Sequence, residues 1–284
     1  MIAVENLSFT YPGTTTPAVR DLTFTIEPGE IFGFLGPSGA GKSTTQRILT
    51  GLLRAYQGRV AVFGRDLASW EDGYYERIGV SFETPNHFLK LTALENLTYF
   101  ASLYRRSAER PSRLIEMVGL DGHGDVLVSQ YSKGMKNRLT VARALLHGPE
   151  LLFLDEPTAG LDPVNARRIR DLIRDQQRAG RTIFLTTHDM TVAQSICDRV
   201  AFIVDGQINV VDNPNRLRRQ YGRPTVRVTY GRDGHSASRD FPLPGIGENE
   251  AFIDLLRTQP VETIHTQEAT LEDVFIQVTG RTLQ

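Results

Sequence analysis

Residues 36–43 read GPSGAGKS and place three glycines, a lysine and a serine at the spacing G-x-x-x-x-G-K-[ST]. Glycines lack a Cβ atom, so the backbone can curl and turn its N–H groups toward an anion. The lysine can then reach the β- and γ-phosphates of a nucleotide, and the serine hydroxyl can ligate Mg²⁺. We therefore expect ATP and Mg²⁺ to bind at a loop formed by Gly36, Pro37, Ser38, Gly39, Ala40, Gly41, Lys42 and Ser43.

Two other segments end in side chains suited to phosphoryl transfer. The run LLFLDEP at 151–157 places Asp155 at the carboxyl end of an apolar strand, where it can hold Mg²⁺. Glu156 follows it and can orient or deprotonate an attacking water. His188 follows the strand TIFLTT at 182–187, and we expect it to contact the γ-phosphate. The predicted catalytic residues are thus Lys42, Glu156 and His188.

These residues need an α/β scaffold to bring them together. Residues 1–30 alternate apolar and polar residues in short runs, which predicts an N-terminal antiparallel β region. The apolar runs at 31–35, 151–155 and 182–187 alternate with helical segments that begin near Lys42 and span about 163–179. Buried strands alternating with helices predict a parallel sheet covered on both faces. With the phosphate-binding loop, this arrangement resembles the RecA-like core of a P-loop NTPase.

Two segments depart from this core pattern. In the stretch from about 84 to 138, residues 91–106 read as a helix with a capping box formed by Thr92 and Glu95, and a second amphipathic helix is closed by Gly119. We expect this stretch to form an inserted helical subdomain. The basic run RLRRQYGRP at 216–224 is typical of a linker. Strand candidates at 225–230 and 261–266 and helix candidates near 249–258 and 270–280 follow it. We therefore predict a first domain over 1–222 and a small C-terminal α+β domain over 223–284.

The charge and composition of the chain limit which binding partners and compartments are expected. Lys plus Arg total 32 and Asp plus Glu total 33, so a net charge of −1 gives no reason to expect nucleic-acid binding. The arginines of the helix at 163–179 are mixed with aspartates, which is typical of a solvated face. The single cysteine, Cys197, lies in an apolar stretch and is expected in the core, and the absence of disulfides fits a reducing compartment. No apolar run approaches the ~18 residues that span a bilayer, so another chain must supply any membrane span.

The motifs together resemble the ATP-binding subunits of ABC transporters over about residues 1–215. Besides the phosphate-binding loop and the LLFLDE strand, they include FTYPG at 9–13, YSKGMKNRL at 131–139, AGLD at 159–162 and His188. The resemblance implies that Tyr11 stacks on adenine, that Thr44 extends the phosphate loop, that Asp162 belongs to the D-loop and that His188 is the switch histidine. It also implies a signature segment that faces the ATP held by a second subunit, formed by Ser132, Lys133, Gly134 and Met135. Independently, Ser132 can cap a helix and point its hydroxyl at an anion.

Three residues depart from the family pattern. Lys133 replaces the first signature glycine and Met135 replaces the terminal glutamine. Glu83 stands where the family's Q-loop glutamine is expected, and we include its carboxylate with Ser43 and Asp155 as a metal contact. Lys133 is hypothesised to add positive charge near the partner's γ-phosphate.

The YSKGM variant and the sequence TLEDVFIQVTGR at 270–281 resemble the separately encoded ATPases of ABC-2-type exporters. The resemblance implies a head-to-tail ATPase dimer, homo- or heteromeric, docked on membrane-spanning permease subunits at the cytoplasmic face of the membrane. The transported substrate would be bound by those permease subunits. One alternative is a non-transport member of the family acting on ribosomes or nucleic acid, but the chain has one phosphate loop and no sustained heptads. The other is an unrelated P-loop kinase or GTPase, against which Tyr11, YSKGM and AGLD argue.

Overall fold

The computed structural model describes residues 1–105, 108–222, 224–232 and 235–282. The chain divides into two compact units, Met1–Asp212 and Asn213–Thr282. The division therefore falls at 212/213 and not at the 222/223 boundary expected from the sequence. The reason is that most of the supposed linker is helical and belongs to the second unit.

An antiparallel sheet opens the first unit. Its strands, in the spatial order β2-β1-β4-β5, are β1 (Ile2–Phe9), β2 (Val19–Ile26), β4 (Gln57–Val62) and β5 (Arg65–Asp66). The apolar side chains of β1 and β2 alternate with exposed ones, as the sequence pattern predicted. Their buried face packs on the next sheet, where the Phe24 and Phe32 rings stack with centroids 5.6 Å apart. This confirms the antiparallel β region.

The second sheet of this unit has six strands in the order β10-β9-β3-β8-β7-β6. They are β3 (Ile31–Leu35), β6 (Ile78–Ser81), β7 (Leu151–Asp155), β8 (Thr182–Thr187), β9 (Arg199–Val204) and β10 (Gln207–Asp212). All neighbours pair in parallel except β9 and β10. Every residue of β3, β7 and β8 is buried, which confirms the prediction of a covered parallel sheet.

Helices connect these strands and set the orientation of the site. They are α1 (Lys42–Leu49), α5 (Pro163–Arg178) and α6 (Met190–Ile196). Because β3, β7 and β8 run parallel, the loops after their carboxyl ends meet at one edge of the sheet. Cys197, just past α6, is buried as expected, and Arg167 and Asp171 of α5 form an exposed pair at 4.0 Å.

The helical insertion contains α2 (Ala93–Ala101), α3 (Pro111–Met117) and α4 (Lys133–Ala144). The predicted capping box of Thr92 and Glu95 opens α2, and Gly119 follows α3 with φ +68°. Helix α2 ends earlier than the helical pattern through Arg106 suggested, because Leu103 and Tyr104 close in tighter three-residue turns. Arg106 itself lies outside the described residues.

The second unit is a small α+β fold. It contains α7 (Pro214–Tyr221), β11 (Thr225–Arg232), β12 (His235–Pro242), α8 (Glu250–Thr258), β13 (Val261–Gln267) and α9 (Leu271–Thr279). Its strands form an antiparallel sheet in the order β12-β11-β13 around a core of Val226, Val228, Phe241 and Leu255.

The expectation of a linker at 216–224 was wrong for residues 216–221, and Arg223 lies outside the described residues. The Asn213 side chain caps α7 by accepting from the backbone N–H groups of Asn215 and Arg216, and Leu217 is buried. The cap and the buried leucine favour a helix despite the basic composition.

Candidate functional site

The phosphate-binding loop is a tight turn between β3 and α1 that glycine makes possible. Gly39 and Gly41 have φ values of +79° and +107°, which side chains with a Cβ rarely adopt. A Cβ on Gly36 would stand 2.1 Å from the carbonyl oxygen of Ile203. Helix α1 begins at Lys42 with no side-chain cap, so its first N–H groups are available to an anion.

Lys42 is nearly buried, with 8% of its surface exposed. Its Nζ donates hydrogen bonds to the carbonyl oxygens of Gly36 at 2.6 Å and Pro37 at 2.9 Å. Burial lowers the pKa of the Lys42 ammonium, against the opposing effect of the Glu156 and Asp155 carboxylates. The loop therefore holds a cation among backbone carbonyls, facing the cavity in which the predicted residues meet.

That cavity has a volume of about 430 Å³. It is lined by Tyr11, Ala18, Ser38, Gly39, Gly41, Lys42, Ser43, Thr44, Glu83, Asp155, Glu156 and His188. Residues from separate segments of the chain thus come together as the sequence predicted. A larger cavity of about 580 Å³ lies in the second unit, around Arg218 and Arg219, but it contains none of these residues. Chemistry, not size, identifies the first cavity as the candidate site.

Asp155 lies at the carboxyl end of β7 beside the phosphate loop. Its Oδ1 accepts a hydrogen bond from the Thr186 hydroxyl, and its Oδ2 lies 3.4 Å from Ser43 Oγ. Burial raises the pKa of Asp155, and the negative charges of Glu83 and Glu156 raise it further. Asp155, Ser43 and Glu83 are hard oxygen donors of the kind that Mg²⁺ prefers. Among the residues that the structure describes, no group of three or more His, Cys, Asp and Glu side chains could hold a metal ion alone.

Glu156 is fixed by three hydrogen-bond donors. Its Oε1 accepts from the His188 backbone N–H at 2.9 Å and from His188 Nδ1 at 2.7 Å, while its Oε2 accepts from Thr187 Oγ1 at 2.9 Å. Since a carboxylate only accepts, Nδ1 carries the imidazole proton. Glu156 also has φ +46°, a conformation that is costly for a side chain with a Cβ and is often found at functional sites.

Sequence reasoning missed two residues of this arrangement, Thr186 and Thr187. Both are fully buried at the carboxyl end of β8, and each donates to one of the two acidic residues. Their position directly before His188 was the available signal, but two threonines in an apolar strand are ordinarily read as β-formers.

Tyr11 lies at the rim of the cavity. Its hydroxyl is 3.2 Å from Thr44 Oγ1, and its ring meets Phe9 edge-on with centroids 4.9 Å apart. The ring is thus held beside the phosphate loop, where the resemblance placed an adenine contact.

The signature residues occupy a different surface of the same unit. Ser132 caps α4 and accepts from the Met135 backbone N–H at 3.2 Å, which confirms the predicted capping. Ser132 and Lys133 are exposed, and none of Ser132, Lys133, Gly134 and Met135 lines the cavity around Lys42 in the described part of the chain.

The signature helix is tied to the D-loop. Asn137 Nδ2 donates to the carbonyl oxygen of Ala159 at 2.9 Å, and a Cβ on Gly134 would stand 3.1 Å from Leu161 Cδ2. Asp162 caps α5 by accepting from the Val164 and Asn165 backbone N–H groups. The signature and the D-loop therefore form one continuous surface.

A parallel sheet with a phosphate loop after β3 and acidic residues after β7 defines a P-loop nucleoside triphosphatase. Within that class, the helical insertion and the signature segment ahead of β7 match the ABC transporter ATPases that the sequence resembles. Comparison with known proteins completes the assignment: the chain belongs to the ATP-binding subunits of ABC transporters and is an ATPase. The ABC transporter family model matches residues 19–159, and the model of a fluoroquinolone efflux ABC transporter C-terminal domain matches residues 224–268.

Similar proteins support this assignment along the whole chain. A fluoroquinolones export ATP-binding protein of Mycobacterium tuberculosis is 55% identical over 284 residues, covering 100% of this chain and 94% of the relative. The daunorubicin/doxorubicin resistance ATP-binding protein DrrA of Streptomyces peucetius is 34% identical, covering 98% and 92%. A solved ATP-binding cassette, described as a dimer in a post-hydrolysis state with ADP and Pi, has a TM-score of 0.69 at 28% identity, covering 75% of this chain and 98% of that one. These relatives favour the transport interpretation over the ribosome, nucleic-acid and kinase alternatives.

No helix in the described ranges combines the length and apolar character needed to cross a membrane.

Proposed function

We propose that this chain is the motor subunit of an ABC-2-type exporter and works as a head-to-tail dimer on separate membrane-spanning subunits. The observation that carries the proposal is the separation of two half-sites within one unit. Lys42 and Glu156 line the cavity, whereas Ser132 and Lys133 are exposed on another surface. A second copy, or a related ATPase subunit, can bring its signature surface over the cavity and complete it. Docking on permease subunits would place the chain at the cytoplasmic face of the membrane.

Within each cavity, different residues of this chain have different roles in phosphoryl transfer. The glycine-rich loop and Lys42 stabilise negative charge on the transferring phosphoryl group. Glu156, held by Thr187 and His188, orients the attacking water and accepts its proton. His188, at the cavity wall, contacts the γ-phosphate, and Tyr11 stacks on the adenine.

We infer that Ser43 and Asp155 hold Mg²⁺, with Glu83 as a further oxygen ligand. The ion, when bound, would neutralise charge on the phosphates. Because these side chains form no complete metal site by themselves, the phosphates and water would supply the remaining ligands.

We further propose that residues 84–138 transmit the motion of the dimer to the membrane subunits and that Asn213–Thr282 acts as a separate accessory domain. The transported class we propose is the fluoroquinolones. Support comes from the full-length similarity at 55% identity and from the efflux-type C-terminal domain.

The decisive test of the motor role is phosphate release by Glu156→Gln. Removing the positioned base should lower turnover by at least about 10²-fold while ATP binding persists. Near wild-type turnover would refute the role of Glu156. The fluoroquinolone assignment is tested by co-expressing the chain with a candidate membrane-spanning partner subunit and measuring fluoroquinolone accumulation in cells. Accumulation should fall with the wild-type chain but not with Glu156→Gln, and equal accumulation in both would refute it.

A further inference from the structure

The Glu83 loop, residues 83–91, runs from the nucleotide cavity to the helical insertion. Its far half is fastened there by buried Asn96, whose side chain accepts from the Phe88 N–H at 2.9 Å and donates to the Phe88 carbonyl oxygen at 3.0 Å. The Ser129 N–H adds a bond to the Leu89 carbonyl oxygen at 3.0 Å. Its near end, Glu83, lines the cavity with Lys42. The loop thus joins a catalytic cavity to a separate group of helices.

His87 fastens the middle of this loop to the signature helix α4. Its Nε2 lies 3.0 Å from the Lys136 carbonyl oxygen and 3.0 Å from Thr140 Oγ1. A carbonyl oxygen only accepts, so Nε2 carries the proton and donates to Lys136. The ring is buried, and burial lowers the pKa of His87 to about 4, which keeps it neutral near pH 7.

Arg143 makes a second attachment further along α4. Its Nη1 donates to the Asn86 carbonyl oxygen at 2.6 Å, and its guanidinium lies 4.6 Å from the centre of the Phe100 ring. Two consecutive loop residues, Asn86 and His87, are therefore bound to one helix.

The first residues of α4 are those of the signature. Ser132 caps the helix one turn before Lys136, so the attachment point of His87 and the signature belong to one rigid element. Glu83 stands four residues before His87 in the chain. A short, tethered segment therefore joins α4 to Glu83.

We propose that His87 is a positioning residue that latches the Glu83 loop to α4. Glu83 in one nucleotide site then moves together with Ser132, which faces the partner's nucleotide. The latch makes the geometry of each site depend on how the signature of the same chain is engaged. The proposal rests on the proposed function, because the role of Ser132 requires the dimer.

The test compares His87→Leu, His87→Gln and a matched control in the full chain. Leucine fills the space of the ring without a donor, whereas the glutamine amide can still donate to Lys136. The control is His147→Leu. His147 is equally buried, and its Nε2 lies 2.8 Å from the Ile78 carbonyl oxygen, at the end of β6 remote from Glu83.

We expect His87→Leu to lower kcat for phosphate release about tenfold or more, because small misplacements of a catalytic shell cost that much. The Kd for ATP should be unchanged, since the phosphate loop is untouched, and His87→Gln should recover most of the turnover. His147→Leu should lower Tm to a similar extent but leave kcat near wild type. In a Glu83→Ala background, the effect of His87→Leu should vanish, because the two residues act in series.

Equal kcat losses in His87→Leu and His147→Leu would overturn the latch and leave a packing role. A loss from His87→Leu that multiplies with that of Glu83→Ala would show that His87 acts independently of Glu83. Glu156→Gln, measured in the same preparation, separates the two proposals. If it is inactive while the latch test fails, only the latch falls, and if it is active, the motor role falls.

Discussion

Thr187→Val removes one of the three donors that hold the catalytic carboxylate, and it also removes the hydroxyl that accepts from the Asp189 N–H at 3.0 Å. Thr187 is fully buried at the end of β8, and its Oγ1 donates to Glu156 Oε2 at 2.9 Å. Valine has nearly the same shape but replaces the hydroxyl with a methyl group. The substitution therefore leaves Oε2 without that bond while His188 still holds Oε1.

The size of the effect follows from the charge on the acceptor. A hydrogen bond to an ionised group contributes about 1.5–3 kcal/mol net. At about 1.4 kcal/mol for each factor of ten, losing it from the group that orients the water predicts a fall in kcat of roughly 10- to 150-fold. The Kd for ATP should change little, because Thr187 is not one of the described residues that line the cavity.

The assay is steady-state phosphate release together with nucleotide binding and thermal unfolding. Thr182→Val is the matched control: Thr182 is equally buried at the opposite end of β8 and accepts from the Gly29 N–H at 2.9 Å, away from the acidic residues. We expect both variants to lose some stability and only Thr187→Val to lose turnover. Equal kcat in the two variants would refute the claim that Thr187 holds Glu156 for catalysis.

Two further predictions concern separate parts of the chain. Lys133→Ala should weaken ATP-driven dimerisation, measured by light scattering with Glu156→Gln as the trapping background, while ATP binding by the monomer is unchanged. Unaltered dimerisation there, together with unaltered phosphate release by Lys133→Ala in the otherwise wild-type chain, would contradict a role for Lys133 at the partner's phosphate. Asn213→Ala should lower the free energy of unfolding of the second unit by about 1 kcal/mol, because the α7 cap is lost. Asn213→Asp should keep the cap and the stability. Equal denaturant midpoints for the two variants would contradict the stabilising role of the cap.

How far the sequence predicted this site depended on the range of the interactions involved. Gly36, Asp155 and His188 were predictable because each stands at a strand end, and parallel strands bring those ends together. Lys42 was predictable from its place in the phosphate-loop motif. Thr187 was not predictable, because its hydrogen bond to Glu156 is seen only once β7 and β8 are paired. His87 was missed for the same reason, because its partners on α4 lie 49 and 53 residues away in the chain.

For the helices, too, features set by neighbouring residues were predicted and features set by distant residues were not. The capping box of α2 was read correctly, because all its atoms lie within four residues. Helix α7 was mistaken for a linker because its charge dominated the pattern. Its burial of Leu217 and the bonds from Arg218 to Ala269 and Glu268 depend on distant residues of the second unit. Local chemistry thus predicted the caps and motifs, and tertiary contacts decided the rest.

The charges of the cavity connect two of the three departures from the family pattern, Glu83 and Lys133. Glu83, Asp155 and Glu156 set three carboxyl groups against the single ammonium of Lys42, and a nucleotide adds several phosphate charges. Inside one chain, the counterbalancing groups are the N–H dipoles of the glycine loop and of α1. Glu83 in place of glutamine adds one negative charge to this set, and Lys133 in place of glycine adds one positive charge to the exposed signature surface. In the proposed head-to-tail dimer the two changes meet across the interface, because the Lys133 of one subunit faces the cavity that holds the other subunit's Glu83. In that dimer the added carboxylate and the added lysine would carry opposite charges, so the partner's Lys133 would offset the one negative charge that Glu83 adds to the cavity.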